Sequence, residues 1–140
     1  RRDRYSISYT YFNSSKFARM KTFIIIGSLF MALTVMAGAF GAHNLKEKLS
    51  VDYMKIFEKG VQYQAYHSMG LILLGLLGFN FPQHLLWFPA LCFVSGIVLF
   101  SGSLYVLAIS NIKWLGMVTP IGGISFILGW ISLAWVVFRN

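Results

Sequence analysis

Of the 140 residues, 57% are hydrophobic and only 11% charged, and twelve Lys/Arg against four Asp/Glu leave a formal net charge of +8. A soluble domain carries roughly a quarter charged residues, so this composition excludes an ordinary water-soluble fold. The positive excess does not indicate nucleic acid: the basic residues flank apolar stretches instead of forming a stripe interleaved with aromatics, and there they can meet anionic headgroups and set orientation.

Residues 1–19 fit the rest of the chain poorly. Six Lys/Arg fall between Arg1 and Lys21, separated by polar residues, and Met20-Lys21 before an apolar run resembles a natural start. Residues 1–19 are therefore expected to be a non-native or disordered extension, with residues 20–140 as a single transmembrane domain. Residues 22–42 carry no charge and are long enough to cross a hydrocarbon core of about 30 Å; this is span 1. A competing reading makes it a cleaved signal peptide with Ala37-Gly38-Ala39 as the cleavage site, but its apolar run exceeds a typical signal core.

In residues 44–60, Leu45, Leu49, Tyr53, Ile56 and Phe57 recur at helical spacing while Lys and Glu fill the other face. Asn44 with Glu47 resembles a capping box, and Ser50 could cap a further short helix. This predicts an amphipathic helix lying on the membrane surface, or else a solvated connector. Span 2 (61–79) begins with the dense polar stretch Gln62, Tyr63, Gln64, Tyr66, His67 and Ser68 before turning aliphatic. Spans 3 (85–109) and 4 (114–138) follow after short links, which make sequential helices antiparallel neighbours. Trp87, Trp114, Trp130 and Trp135 are expected as anchors near span ends. Thr119-Pro120 either starts span 4 or bends it. The single cysteine, Cys92, has no partner for an internal disulfide and reads as an inert buried thiol. The fold class is thus all-α: an integral membrane four-helix bundle with an amphipathic surface helix between spans 1 and 2.

Four antiparallel spans bring the unusual residues to one end of the bundle. Span 1 ends there with Gly38 and Gly41, span 2 begins there with its polar stretch, span 3 ends there with Ser101, Gly102, Ser103 and Tyr105, and span 4 begins there with Thr119, Gly122 and Gly123. In lipid, polar side chains seek one another or the backbone, and small residues let helices approach. Gln62, Tyr63, Gln64, Tyr66, His67, Ser101, Ser103, Tyr105 and Thr119 form the candidate polar binding cluster, with Gln62 and Tyr66 facing one neighbouring helix and Gln64 and Ser68 another. Gly38, Gly41, Gly70, Gly102, Gly122 and Gly123 are the candidate packing positions. His67 is an ionisable residue below the headgroups and hence a functional-site candidate; the structural alternative is a neutral histidine bonded to Tyr105, Ser101 or Thr119. His43 and His84 read as interfacial. Lysines 46, 48, 55, 59 and 113 share the polar end and place it in the cytoplasm by the positive-inside rule, although counting the basic residues among 1–19 nearly balances the two sides.

Taken together, "GAFGAHNLK", "VQYQAYH", "LFSGSLYVLA", "TPIGG" and Gly129-Trp130 resemble the YgdD-like small membrane proteins, a domain-of-unknown-function family of bacteria with animal homologues. The resemblance spans residues 20–138; Ser68-Met69-Gly70 departs from the Ala/Leu-rich run expected there. It implies a compact four-helix protein of the bacterial inner or cell membrane and no established activity, substrate or cofactor.

The first expectation for function is a non-catalytic binding, scaffold or assembly protein whose partners are membrane lipid and either another membrane protein or a second copy. The alternative is a small-solute or ion transporter with a polar half-cavity around His67. Paired carboxylates, nucleophile–base spacings and metal-ligand sets are absent from the sequence, so neither an enzyme nor a cofactor or metal site is expected.

Overall fold

In the computed structural model, the backbone is described from Asp3 and the side chains from Lys21 to Asn140; the expectation for residues 1–19 lies outside the residues described in full. Five α-helices follow in order: α1 (Asp3–Phe40), α2 (Val51–Leu77), α3 (Gln83–Gly96), α4 (Gly102–Ser110) and α5 (Thr119–Arg139). No strand occurs among the described residues. Among the described residues, three segments are long and apolar enough to cross a membrane: Lys21–Leu45, Gln83–Ser110 and Lys113–Arg139. They correspond to the expected spans 1, 3 and 4. The expected span 2 lies on α2, which is equally long but less apolar because Gln62, Tyr63, Gln64, Tyr66 and His67 occupy its middle.

The region between spans 1 and 2 differs from expectation. Helix α1 runs on into a π-helical turn, Gly41–Leu45, closed by the Lys46 amide donating to the Gly41 carbonyl at 3.1 Å. Asn44 lies inside that turn and caps nothing. Ser50 does cap a helix: its hydroxyl accepts from the Tyr53 amide at 3.3 Å, as such residues do at a first turn. The helix it opens is α2 itself, unbroken from Val51 to Leu77, so residues 44–60 form no separate surface helix. Gly60 does not interrupt α2 because the missing side chain makes room for the Tyr105 ring: a methyl at Gly60 would come within 2.9 Å of it.

Spans 3 and 4 are also built from pieces. Between α3 and α4 lies a second π turn, Ile97–Ser101, and a 3₁₀ turn, Lys113–Met117, precedes α5. Pro120 occupies the first turn of α5, where its missing N–H costs nothing; it starts the helix and does not bend it. Asn111 ends α4 in the left-handed conformation, and its Oδ1 accepts a hydrogen bond from the Tyr53 hydroxyl. That bond places the α1–α2 and α4–α5 links at the same end of the molecule.

Helix α1 packs along α2, α3 packs along α5, and α2 packs against α3, α4 and the π turn between them. The main core comprises Phe23, Leu71, Leu74, Leu86, Phe93 and Phe126 with their neighbours; a smaller one, Leu45, Phe57 and Ala108, sits at the link end. The backbones of α2 and α5 do not pack closely. The rings of Tyr63, His67, Phe100 and Phe126 fill the space between them.

Candidate functional site

Gln64 is the centre of the buried polar chemistry. Only 5% of its surface is exposed. Its Nε2 donates to the Phe30 carbonyl of α1 at 3.0 Å, and its Oε1 accepts from the Tyr105 hydroxyl of α4 at 2.9 Å. One amide thus joins three helices. The Phe30 carbonyl also accepts from the Thr34 hydroxyl at 2.8 Å, and Ser68 donates to the Gln64 carbonyl at 2.6 Å. A second polar pair lies at the start of α5, where the Ser103 and Thr119 hydroxyls are 2.9 Å apart and Ser103 also donates to the Phe100 carbonyl.

His67 bonds to none of the three side chains expected for it. Its Nδ1–H donates to the Tyr63 carbonyl, one turn back on α2, at 2.7 Å. A carbonyl can only accept, so Nδ1 carries a proton; in the neutral ring Nε2 is then the acceptor. The imidazole lies flat on Phe126, centroids 3.4 Å apart and planes within 9°, and Phe93 meets its edge at 5.5 Å. These rings hold it in place where Tyr105, Ser101 and Thr119 were expected to. Ser101 is fully buried, and its hydroxyl is the one buried side-chain polar atom with no hydrogen-bond partner among the described residues.

Gln62 and Tyr66 do not meet a neighbouring helix. They are exposed and bonded to each other, with Gln62 Nε2 donating to the Tyr66 hydroxyl at 2.7 Å and Lys59 Nζ donating to Gln62 Oε1 at 3.0 Å. The predicted cluster therefore divides in two: Gln64, Tyr105, Ser103 and Thr119 lock the interior, while Lys59, Gln62 and Tyr66 form a row on the outside of α2.

Beside this row, α2 and α5 enclose a lateral groove of about 720 Å³, with Tyr63, Tyr66, His67 and Met69 on one wall and Phe126 and Trp130 on the other. Aromatic and apolar groups dominate it, so it is not the polar half-cavity expected around His67; Gln64, Ser103, Tyr105 and Thr119 bond one another elsewhere between the helices. Trp130 is a wall of this groove, midway along α5 and 4.8 Å from Phe93, and not the span-end anchor expected. The α5 side escaped sequence reasoning, although Gly123, Ile127 and Trp130 at helical spacing already placed a small residue and two large ones on one face.

Three of the six predicted packing glycines allow close approach. A methyl at Gly41 would come within 2.8 Å of Phe57, one at Gly70 within 2.9 Å of Phe93, and one at Gly122 would overlap the Phe100 backbone. Gly38, Gly102 and Gly123 have room for one. Gly27, Gly60, Gly96 and Gly129 are equally tight contacts that the sequence did not single out. His43 and His84 are exposed, and Cys92 is buried. Among the described residues no three His, Cys, Asp or Glu side chains gather closely enough to hold a metal ion.

Among the described residues, three segments long and apolar enough to cross a membrane fit a multi-pass membrane protein. Comparison with known sequences identifies its kin. The chain belongs to the protein family of unknown function DUF423, whose model matches residues 37–123. It is similar to the UPF0382 membrane protein SH2409 of Staphylococcus haemolyticus, 48% identical over 120 residues that cover 86% of this chain and 98% of the relative. A UPF0382 membrane protein of Staphylococcus epidermidis is 50% identical over 114 residues, covering 81% and 93%. The UPF0382 membrane protein YwdK of Bacillus subtilis is 42% identical over 119 residues, covering 81% and 94%. These relatives and the three apolar segments fit a protein of the bacterial cell membrane. No solved structure matches the chain.

Proposed function

We propose that this protein crosses the membrane four times, with α2 as the fourth crossing, and acts without catalysis as a binding or assembly protein that holds an apolar ligand in the α2–α5 groove. The narrower kinship with the YgdD-like proteins belongs to the same reading and rests on the five motifs quoted above. The groove itself carries the proposal: an apolar, aromatic-walled volume of about 720 Å³, open at the side of the molecule. Ligand sites typically measure about 300–1,000 Å³ and are lined mainly by apolar and aromatic groups. Support for α2 as a crossing comes from the placement of its side chains. Gln64 and Ser68 are buried and bonded, whereas Met69, Leu73 and Leu76 face outward, which is the arrangement hydrocarbon solvent favours.

Native mass spectrometry of the purified protein in mild detergent tests this reading. Ile127 is 59% exposed on the groove wall, so Ile127→Trp should fill the groove without disturbing the core. The wild type should retain lipid that the variant loses; equal retention by both would contradict the proposal.

A transport reading draws support from one observation, the His67 Nε2 at the groove wall, which has no hydrogen-bond partner among the described residues. It predicts proton-coupled flux in proteoliposomes that His67→Phe abolishes. The binding reading predicts no such flux, with or without the substitution.

A further inference from the structure

A second recess adjoins the groove. On the Ser50 side of α2, Lys55, Glu58, Lys59 and Gln62 line a polar hollow of about 470 Å³. The row Lys59–Gln62–Tyr66 connects the two: Lys59 and Gln62 line the hollow, Gln62 donates to the Tyr66 hydroxyl, and Tyr66 lines the groove. A charged compartment therefore stands over an apolar one along a single helix face. Lys59 and Tyr66 are seven residues apart, about 10 Å along the axis. This is comparable to the thickness of one headgroup layer, roughly 5–8 Å.

The charges select the kind of amphiphile. Two lysines face one carboxylate, Glu58, in the hollow. Lys59 spends one of its three N–H donors on Gln62, and the Tyr66 hydroxyl accepts from Gln62 while its own proton has no protein acceptor among the described residues. Free donors and net positive charge at the upper level, with aromatic and aliphatic walls below, complement a negatively charged head on a hydrocarbon chain.

We infer that hollow and groove form one site for a phospholipid with an anionic headgroup. Lys55 and Lys59 hold its phosphate, the Tyr66 hydroxyl donates to the ester level, and one acyl chain lies between Met69, Phe126 and Trp130. The inference rests on the groove's role as a ligand site and adds the class of ligand. An anionic lipid near a basic segment gains about fivefold in affinity for each lysine at the surface.

The test uses the full chain in mild detergent, with native mass spectrometry under titration by phosphatidylglycerol or by phosphatidylcholine of identical chains. Phosphatidylglycerol should bind more tightly. Lys55→Gln and Lys59→Gln should each reduce its binding about fivefold and weaken phosphatidylcholine, whose choline cation offsets the charge of its phosphate, much less. Tyr66→Phe should weaken both lipids a few-fold, and Ile127→Trp should block both. All four side chains are exposed, so the fold is retained, which circular dichroism checks. Equal binding of the two lipids by the wild type, or a preference that survives the double lysine substitution, overturns the headgroup assignment while leaving the groove a ligand site. Binding of neither lipid overturns both readings.

Discussion

Gln64 shows how one polar side chain in an apolar protein does structural work. Its amide bridges α1 and α4 from within α2, so replacing it removes two interhelical bonds and leaves the half-buried Tyr105 hydroxyl without an acceptor. Gln64→Leu should destabilise the protein by about 1–3 kcal/mol, read from the denaturation midpoint in mixed detergent micelles. A double-mutant cycle with Tyr105→Phe should give a coupling of about 0.6 kcal/mol and no more than about 1.7 kcal/mol, the mean and maximum for interhelical hydrogen bonds in membranes; zero coupling would deny the bond. Ser101 makes the opposite prediction. Its hydroxyl is buried and unpaired, so Ser101→Ala should leave the midpoint unchanged or raise it, and a loss of more than about 1 kcal/mol would reveal a partner. The sequence made the presence of a polar cluster legible, because so many donors inside an apolar run have to be satisfied somewhere. It did not say which donors point inward. Gln62 and Gln64 differ by two positions and so by about 200° around the helix, and only the neighbours' positions decide that Gln64 is enclosed and Gln62 exposed.

The same contrast governs the helices. Apolar length was enough to locate three segments able to cross a membrane, and Ser50 and Pro120 announced two helix starts by familiar local chemistry. The π turns at Gly41–Leu45 and Ile97–Ser101 were not legible, since one extra residue in a turn leaves no mark on hydropathy. Nor was the continuity of α2: its charged first third and apolar last third look like two elements, and only the packing of Gly60 under Tyr105 shows why the helix runs through. Glycine spacing was informative only in part, because closeness depends on the facing residue. Gly122→Ala should destabilise by about 1–3 kcal/mol, as overpacking does, since the added methyl would overlap the Phe100 backbone. Gly123→Ala next to it should be neutral or slightly stabilising, because its methyl would rest 3.8 Å from the Phe100 ring and alanine favours the helix. Thermal melts of the two variants in one detergent check this pair, and equal effects would argue against the close α5 contact.

At the scale of the whole molecule, the two ends are built differently. The end that joins α1 to α2 and α4 to α5 carries the polar locks, the π turns, the Tyr53–Asn111 tie and five lysines. The opposite end is held by aliphatic packing and the edge contact between Phe23 and Trp87, centroids 5.2 Å apart. This asymmetry suits a protein whose binding chemistry belongs to one leaflet. Everything proposed for the groove depends on α2 crossing the bilayer with Gln64 and Ser68 turned inward and its Met69 side turned to lipid. Spin labels on single cysteines in a Cys92→Ser background measure this directly. Labels replacing Met69, Leu73 and Leu76 should be relaxed by dissolved oxygen and not by a water-soluble nickel chelate, and a label at Ser68 should be shielded from both. Relaxation by the nickel chelate at positions 69, 73 and 76 would put α2 in water and contradict the account.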